Sequence, residues 1–314
     1  MGEVLTEMEI RTYQNLEQKS VLLPLMEQAF GWPFDPVEFE KTVKADPRLR
    51  DSCVGFCALK EGKALGYVGV MDLTLRASDG AVEKVGGLYG VATFPGYTRQ
   101  GICTALLNRA HEHFRAKNYR FSLLTTSPTI VAHSLYEKMG YFDVTSFPSA
   151  YKIRQKDERH EVSEREGVSK WNLARMLELF HEYVKNKTGF VVRDEAYMKM
   201  LMKQYEISAK ECIMTQRGYV IFKKEKKQTR VSELVAQNNK EMGRLIRLVE
   251  NKAQRIVIGR LGAWDSALDR AYKSRGFTVL ETGHGVLMAK ELLAKTPFNV
   301  FCGKRFYMSA LDHF

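Results

Sequence analysis

The sequence predicts an α/β chain, in detail an α+β mixed sheet, arranged as two tandem copies of one fold. Three observations carry that reading. Antiparallel strand signals precede a strand–helix–strand–helix crossover; the pattern of residues 132–141 returns at 267–277; and 314 residues suffice for two domains that each bury a core.

Residues 9–13 alternate as a first strand. Residues 19–30 and 36–44 read as short helices, the second entered through the turn Trp32-Pro33-Phe34-Asp35-Pro36. Strands follow at 53–60, 64–75 and 82–94, with Glu61-Gly62-Lys63 and Ser78-Asp79-Gly80 as hairpin turns. Residues 101–117 form an amphipathic helix with Leu106, Leu107, Ala110 and Phe114 on one face. Next comes the strand Phe121-Ser122-Leu123-Leu124-Thr125-Thr126, then a helix ending Ser134-Leu135-Tyr136-Glu137-Lys138-Met139-Gly140-Tyr141. From 154 to 170 the chain is charged and poor in apolar residues. That predicts a strand passing into an exposed linker, and domains at 1–155 and 156–314.

The second half repeats the first weakly. Helices at 171–187 and 193–205 precede strands at 211–216, 218–224 and 230–237, a helix at 240–252 and a strand at 255–260. Tyr272, Gly276 and Phe277 then fall where Tyr136, Gly140 and Tyr141 stand. Sixteen positions separate Arg120 from Tyr136, and seventeen separate Arg255 from Tyr272.

Composition narrows the class. The five cysteines (Cys53, Cys57, Cys103, Cys212, Cys302) are scattered and odd in number, which predicts reduced thiols in a cytoplasmic protein. Cys53 and Cys57, four apart on a strand, and His111 and His113, two apart on a helix, make poor metal pairs, so no metal site is expected. The start MGEVLTEMEIRTYQ is acidic and alternating, unlike a secretory signal, and no uncharged run approaches a membrane span. The net charge of +11 is uneven. Residues 1–155 hold 18 Lys+Arg against 17 Asp+Glu; subtraction from 48 and 37 leaves 30 against 20, a net of +10, for 156–314. That excess could attract an anion or an acidic partner. Lys223-Lys224-Glu225-Lys226-Lys227 lacks interleaved aromatics to stack on bases, which argues against nucleic acid.

The chemistry concentrates in Leu88 to Ala105, LYGVATFPGYTRQGICTA, where an apolar strand ends at Pro95 and Arg99-Gln100-Gly101 opens a helix. The backbone N–H groups of residues 99–104 have no partner inside such a helix and can turn to a pyrophosphate with the helix dipole behind them. Gly101 keeps that approach free of a side chain. Together with the 121–141 segment, this stretch resembles the acetyl-CoA-binding core of the GNAT superfamily of N-acetyltransferases. It departs from the usual R/Q-x-x-G-x-G/A pattern at Thr98 and at Cys103. The second copy runs Ala236-Gln237-Asn238-Asn239-Lys240-Glu241 into its helix, with no glycine and with an acidic first turn that satisfies the helix start itself. It is therefore read as degenerate. A tandem pair with one degraded half is similar to mycothiol synthases and, more closely through Val91 to Gly101, to the enhanced-intracellular-survival (Eis) family, of which the length predicts a two-domain relative.

The resemblance implies acetyl transfer from acetyl-CoA to a primary amine of a small molecule or peptide. It places Val91, Ala92 and Thr93 against the pantetheine and Arg99, Gln100, Gly101, Ile102, Cys103 and Thr104 around the phosphates, with Tyr136 as general acid. Tyr272 stands at the same place in the half without a cofactor loop, so packing alone also accounts for such a tyrosine. For the base, Glu83, Asp72 and the terminal carboxylate of Phe314 stay open; the resemblance favours the last. The other class is a non-catalytic acyl-CoA- or anion-binding protein that recruits a partner through its basic half. No motif encodes the acceptor or the oligomeric state.

Overall fold

The computed structural model describes residues 8–31, 33–154, 168–263, 266–281, 285–293 and 295–314. Trp32 of the expected turn and residues 155–167 of the expected linker lie outside them.

The chain opens on four antiparallel strands, β1 (Glu9–Thr12), β2 (Gly55–Lys60), β3 (Lys63–Arg76) and β4 (Val82–Thr93). β3 is almost continuously apolar because both of its faces are covered. Between β1 and β2 lie α1 (Leu23–Phe30) and α2 (Pro36–Ala45). Asp35 caps α2 by accepting from the N–H groups of Val37 and Glu38, and Pro36 sits where a missing N–H costs nothing. The crossover follows: α3 (Ile102–Ala116), β5 (Phe121–Thr126) parallel to β4, α4 (Val131–Lys138) and β6 (Phe142–Ser146). Leu106, Leu107, Ala110 and Phe114 of α3 bury themselves against Leu88, Leu124 and Met288 on one face of the sheet. Gly86 has no room for a side chain, because the Phe114 ring occupies the place of its Cβ.

The second copy contributes β7 (Ser149–Ile153), β8 (Val168–Ser169), α5 (Leu173–Val184), β9 (Thr188–Gly189), α6 (Glu195–Gln204), β10 (Cys212–Thr215), β11 (Gly218–Lys224), β12 (Gln228–Ala236), α7 (Asn239–Lys252), β13 (Ile256–Arg260), α8 (Ser266–Ser274) and β14 (Thr278–Leu280). The tail adds β15 (Val286–Glu291), α9 (Phe298–Cys302) and β16 (Phe306–Tyr307). α7 and α8 cover one face of the second sheet, α5 and α6 the other.

The two sheets exchange strands. β15 lies between β5 and β6 in the first sheet, while β7 lies between β13 and β14 in the second. Hydrophobicity explains the first insertion. Leu287 and Ala289 face one core, Val286 and Met288 the other, and a strand apolar on both faces is stable only inside a covered sheet. The face of the first sheet away from α3 is covered by Phe190 and by the tail residues Phe298, Phe301, Phe306 and Met308. The tail is therefore part of the first core.

Candidate active site

β4 and β5 run side by side only from Gly86–Ser122 to Leu88–Leu124, and beyond that pair they part. A bulge starts the divergence: Gly69 pairs with Tyr89 and Tyr67 with Ala92, so Gly90 and Val91 together face Val68. Gly90 takes φ +55°, in the left-handed region that glycine enters freely. Phe94 donates its N–H to Leu65 across the β3 side at 2.8 Å. Alternation then turns the amides of Thr93 and Val91 toward the open side, where a strand-like ligand could pair with them.

The chain next makes a tight turn at Pro95–Tyr97 and passes through two left-handed residues, Arg99 (φ +60°) and Gly101 (φ +85°), before α3 begins. No side chain caps this helix. Its first internal bond is Ala105 N–H to Gly101 C=O, 2.9 Å. Among the described residues, the amides of residues 99–104 have no acceptor in the protein. Such a row of N–H groups, with the helix dipole behind it, is a seat for phosphate oxygens. The second copy differs at this point. Asn238 accepts from the N–H of Glu241 at 2.9 Å and closes the start of α7, so the cap is Asn238 and not the acidic residue expected from the sequence.

The side chains near the seat take distinct roles. Arg99 and Thr104 are exposed, whereas Ile102 is buried and offers a ligand only its backbone. Gln100 donates to Gly96 C=O at 3.4 Å and leaves its own carbonyl oxygen buried without a partner. Cys103 lies beside the Thr93 hydroxyl, and burial pushes its thiol up to about 11. Tyr136 packs its ring edge-on to Tyr141 at 6.0 Å and is close enough to Cys103 to feel its charge. Burial first, and Cys103 second, push its hydroxyl above the ordinary tyrosine range. At neutral pH it is a phenol, a proton donor.

The chain terminus arrives on the other face of the sheet. Leu123 faces the tail-side core and Leu124 the α3 side, so Thr125 faces the tail. Its hydroxyl donates to the Phe314 C=O at 2.5 Å, one residue past the last β4–β5 pair. The Phe314 ring lies 6.0 Å from that of Phe190, and the His313 ring lies tilted against Phe147 at 4.1 Å. Two residues earlier, Asp312 is clamped. Arg193 bridges it at 2.8 Å and Glu233 at 2.9 Å, with each side chain about 1% exposed. Tyr219 donates to Glu233 at 2.7 Å, and Asp312 also accepts from the Ser309 N–H at 3.1 Å. Burial raises the Asp312 carboxyl against the pull of Arg193.

The structure does not bring Glu83 or Asp72 to this cleft. Glu83 sits at the far end of β4 in a bidentate pair with Arg120, 2.8 and 3.0 Å. Eight residues of strand separate it from Val91, roughly 26 Å. Asp72 is buried and accepts from Lys117 through both carboxylate oxygens, 2.8 and 3.0 Å. Both are structural ion pairs. Thr125 and the Arg193–Glu233–Asp312 clamp were not singled out by sequence reasoning, because only the folded tail makes them neighbours. Among the described residues, no cluster of His, Cys, Asp and Glu could hold a metal ion, and no helix is long and apolar enough to cross a membrane.

Comparison places this geometry. A family model described as an acetyltransferase (GNAT) domain matches residues 9–142. A GCN5-related N-acetyltransferase from Kribbella flavida superimposes with TM-score 0.66 at 17% identity, covering 91% of this chain and 72% of its own. Eis1 from Mycobacterium abscessus gives 0.62 at 16%, covering 91% and 74%. A GCN5-related N-acetyltransferase from Sphaerobacter thermophilus gives 0.54 at 12%, covering 91% and 96%. No curated protein matches the chain. At these identities the solved structures speak for the fold, which extends over both copies. The match to the acetyltransferase (GNAT) domain family thus rests on residues 9–142, and the likeness of fold extends it over the rest of the chain.

Proposed function

We propose that the protein transfers an acetyl group from acetyl-CoA to a primary amine of a small molecule or peptide, by direct attack on the thioester. One observation carries the reading: the unpartnered amides of residues 99–104 adjoin the parting of β4 and β5, with Tyr136 on one face and the Phe314 terminus on the other. Residues 99–104 hold the diphosphate, while Val91 and Thr93 pair with the pantetheine amides. That threads the thioester between the strands. The Val91 N–H, freed by the bulge, faces the carbonyl oxygen as charge develops on it.

The amine enters from the tail side as an ammonium and must lose a proton before attack. The Phe314 carboxylate accepts it through water, since an α-carboxylate near pKa ~3.5 is a weak base. Nitrogen bonds to the carbonyl carbon, the C–S bond breaks, the thiolate takes the Tyr136 proton on the α3 side, and the acylated nitrogen gives up its second proton to water. The phenolate then recovers a proton from solvent. The balance is amide, free thiol and one released proton. Glu83 and Asp72, each occupied by a cation, have no part in it.

Release of free thiol from acetyl-CoA with an amine panel tests the reading. Turnover above hydrolysis, lowered about 10²–10⁴-fold in Tyr136→Phe with coenzyme affinity kept, is the expected result. Coenzyme binding without turnover on any amine would favour a non-catalytic acyl-CoA-binding protein.

A further inference from the structure

The second copy has lost the phosphate seat but keeps an opening where its strands part. β12 and β13 pair last at Val231–Gly259, as β4 and β5 do at Leu88–Leu124. Superposing those last pairs puts Ser232 at the position of Tyr89 and Arg260 at that of Thr125. A bulge interrupts each ladder just beyond that last pair: Ile221 pairs with Glu233 and Phe222 with Val231, leaving Ser232 extra, whereas in the first copy Tyr89 is paired and the bulge falls at Gly90 and Val91. The faces match too. Gly259 abuts the Tyr272 ring on the helix side, so Ser232 and Arg260 point to the opposite face, as Thr125 does.

On that face lies a cavity of about 260 Å³, walled by the end of α6, by β11 and by the last turn of the tail. Its carboxylates are already engaged. Glu225 is bound by Arg230 at 3.0 Å, Glu206 by Lys223 at 2.9 Å, and Glu211 by the Ser208 N–H at 2.9 Å. Arg260 is half-buried; its backbone pairs with Ser149 in the β13–β7 ladder, but its guanidinium has no hydrogen-bond or ion-pair partner among the described residues. Burial, and Arg230 beside it, push its pKa below the usual guanidinium value, and Tyr151, Tyr205 and Glu225 only partly offset them. A guanidinium fork matches a carboxylate through two parallel N–H donors.

We propose that this cavity is a second binding site, for a small carboxylate held by Arg260 with the Ser232 and Tyr205 hydroxyls beside it. Ala310 and Leu311 line the cavity, and the Tyr205 hydroxyl donates to the His313 C=O at 3.4 Å. A bound carboxylate therefore braces the turn that delivers Phe314. Binding itself needs nothing from the acetyl-transfer reading; only a consequence for turnover rests on it.

Calorimetric titration of the full chain without coenzyme, using succinate and citrate in one arm and inorganic phosphate in another, tests the site. We expect saturable binding of at least one carboxylate, weakened at least about tenfold in Arg260→Gln and less in Arg260→Lys. Carboxypeptidase release of Phe314 should slow under saturating carboxylate in the wild type and not in Arg260→Gln. No saturable heat, undiminished binding in Arg260→Gln, or tighter binding of phosphate would overturn the site, and unchanged trimming would overturn the bracing. Because coenzyme is absent throughout, a protein inactive in acetyl transfer would leave these outcomes unaffected.

Discussion

Replacing Arg193 by methionine should destabilise the second copy by far more than a surface ion pair can explain. Its guanidinium bridges Glu233 and Asp312 at 2.9 and 2.8 Å and lies 4.1 Å over the Phe180 ring, with all three charged side chains about 1% exposed. Methionine fills much of the volume but strands two carboxylates in the core. Breaking a buried pair in this way costs about 3–5 kcal/mol, against a total stability on the order of 5–15 kcal/mol. The corresponding fall in melting temperature is about 6–20 °C. Acid should relieve it. Burial without the pull of Arg193 holds the Asp312 carboxyl further above its unfolded pKa, so the folded variant binds protons more tightly than the unfolded chain. Its deficit is largest at neutral pH and shrinks as pH falls toward that raised value. Neutralising the stranded pair with Glu233→Gln and Asp312→Asn in the Arg193→Met background should also recover part of the loss. Urea unfolding of wild type, single and triple variants at pH 8 and pH 5.5 reads these differences. A single-variant loss below about 1 kcal/mol, or one that does not narrow on acidification, would refute the reasoning.

Three further outcomes follow from the same geometry. Burial keeps the Tyr136 hydroxyl protonated beyond the ordinary tyrosine range, so loss of that acid should not depress kcat until above about pH 10; a pH–rate profile with Tyr136→Phe as control checks it. Gly66→Ala puts a Cβ at 2.8 Å from Ile102 Cγ2 and 3.2 Å from the Ala92 carbonyl oxygen, pushing the start of α3 off the sheet. It should cost about 1–3 kcal/mol in urea unfolding and weaken coenzyme binding measured by calorimetry. Glu83→Gln breaks a half-exposed pair with Arg120 and should change stability by no more than about 1 kcal/mol and leave kcat unaltered in the thiol-release assay.

Local chemistry was legible in the chain; long-range pairing was not. The α3 start could be read because proline, glycine and the apolar face of Leu106, Leu107, Ala110 and Phe114 act within a few residues of one another. The mixed sheet followed from strand order. Strand exchange did not, since β7 and β15 are short strands whose own sequence carries no address for a partner more than a hundred residues away. Glu83 illustrates a related limit: a carboxylate on the right strand looks available until folding supplies Arg120. Asn238 shows another, because a neutral cap closed a helix start that the sequence assigned to an acidic residue. Phe314 was one of three open carboxylates and only resemblance favoured it, and its contact with Thr125 depends on a tail that crosses from one copy to the other.

The central claim is that the amides opening α3 hold a diphosphate. Backbone ¹⁵N–¹H spectra recorded while coenzyme A is added test it at the atoms concerned. The largest shifts should fall on Gly101, Ile102, Cys103 and Thr104, with smaller ones at Val91 and Thr93. Shifts that leave those resonances in place, or that gather in the second copy, would contradict it.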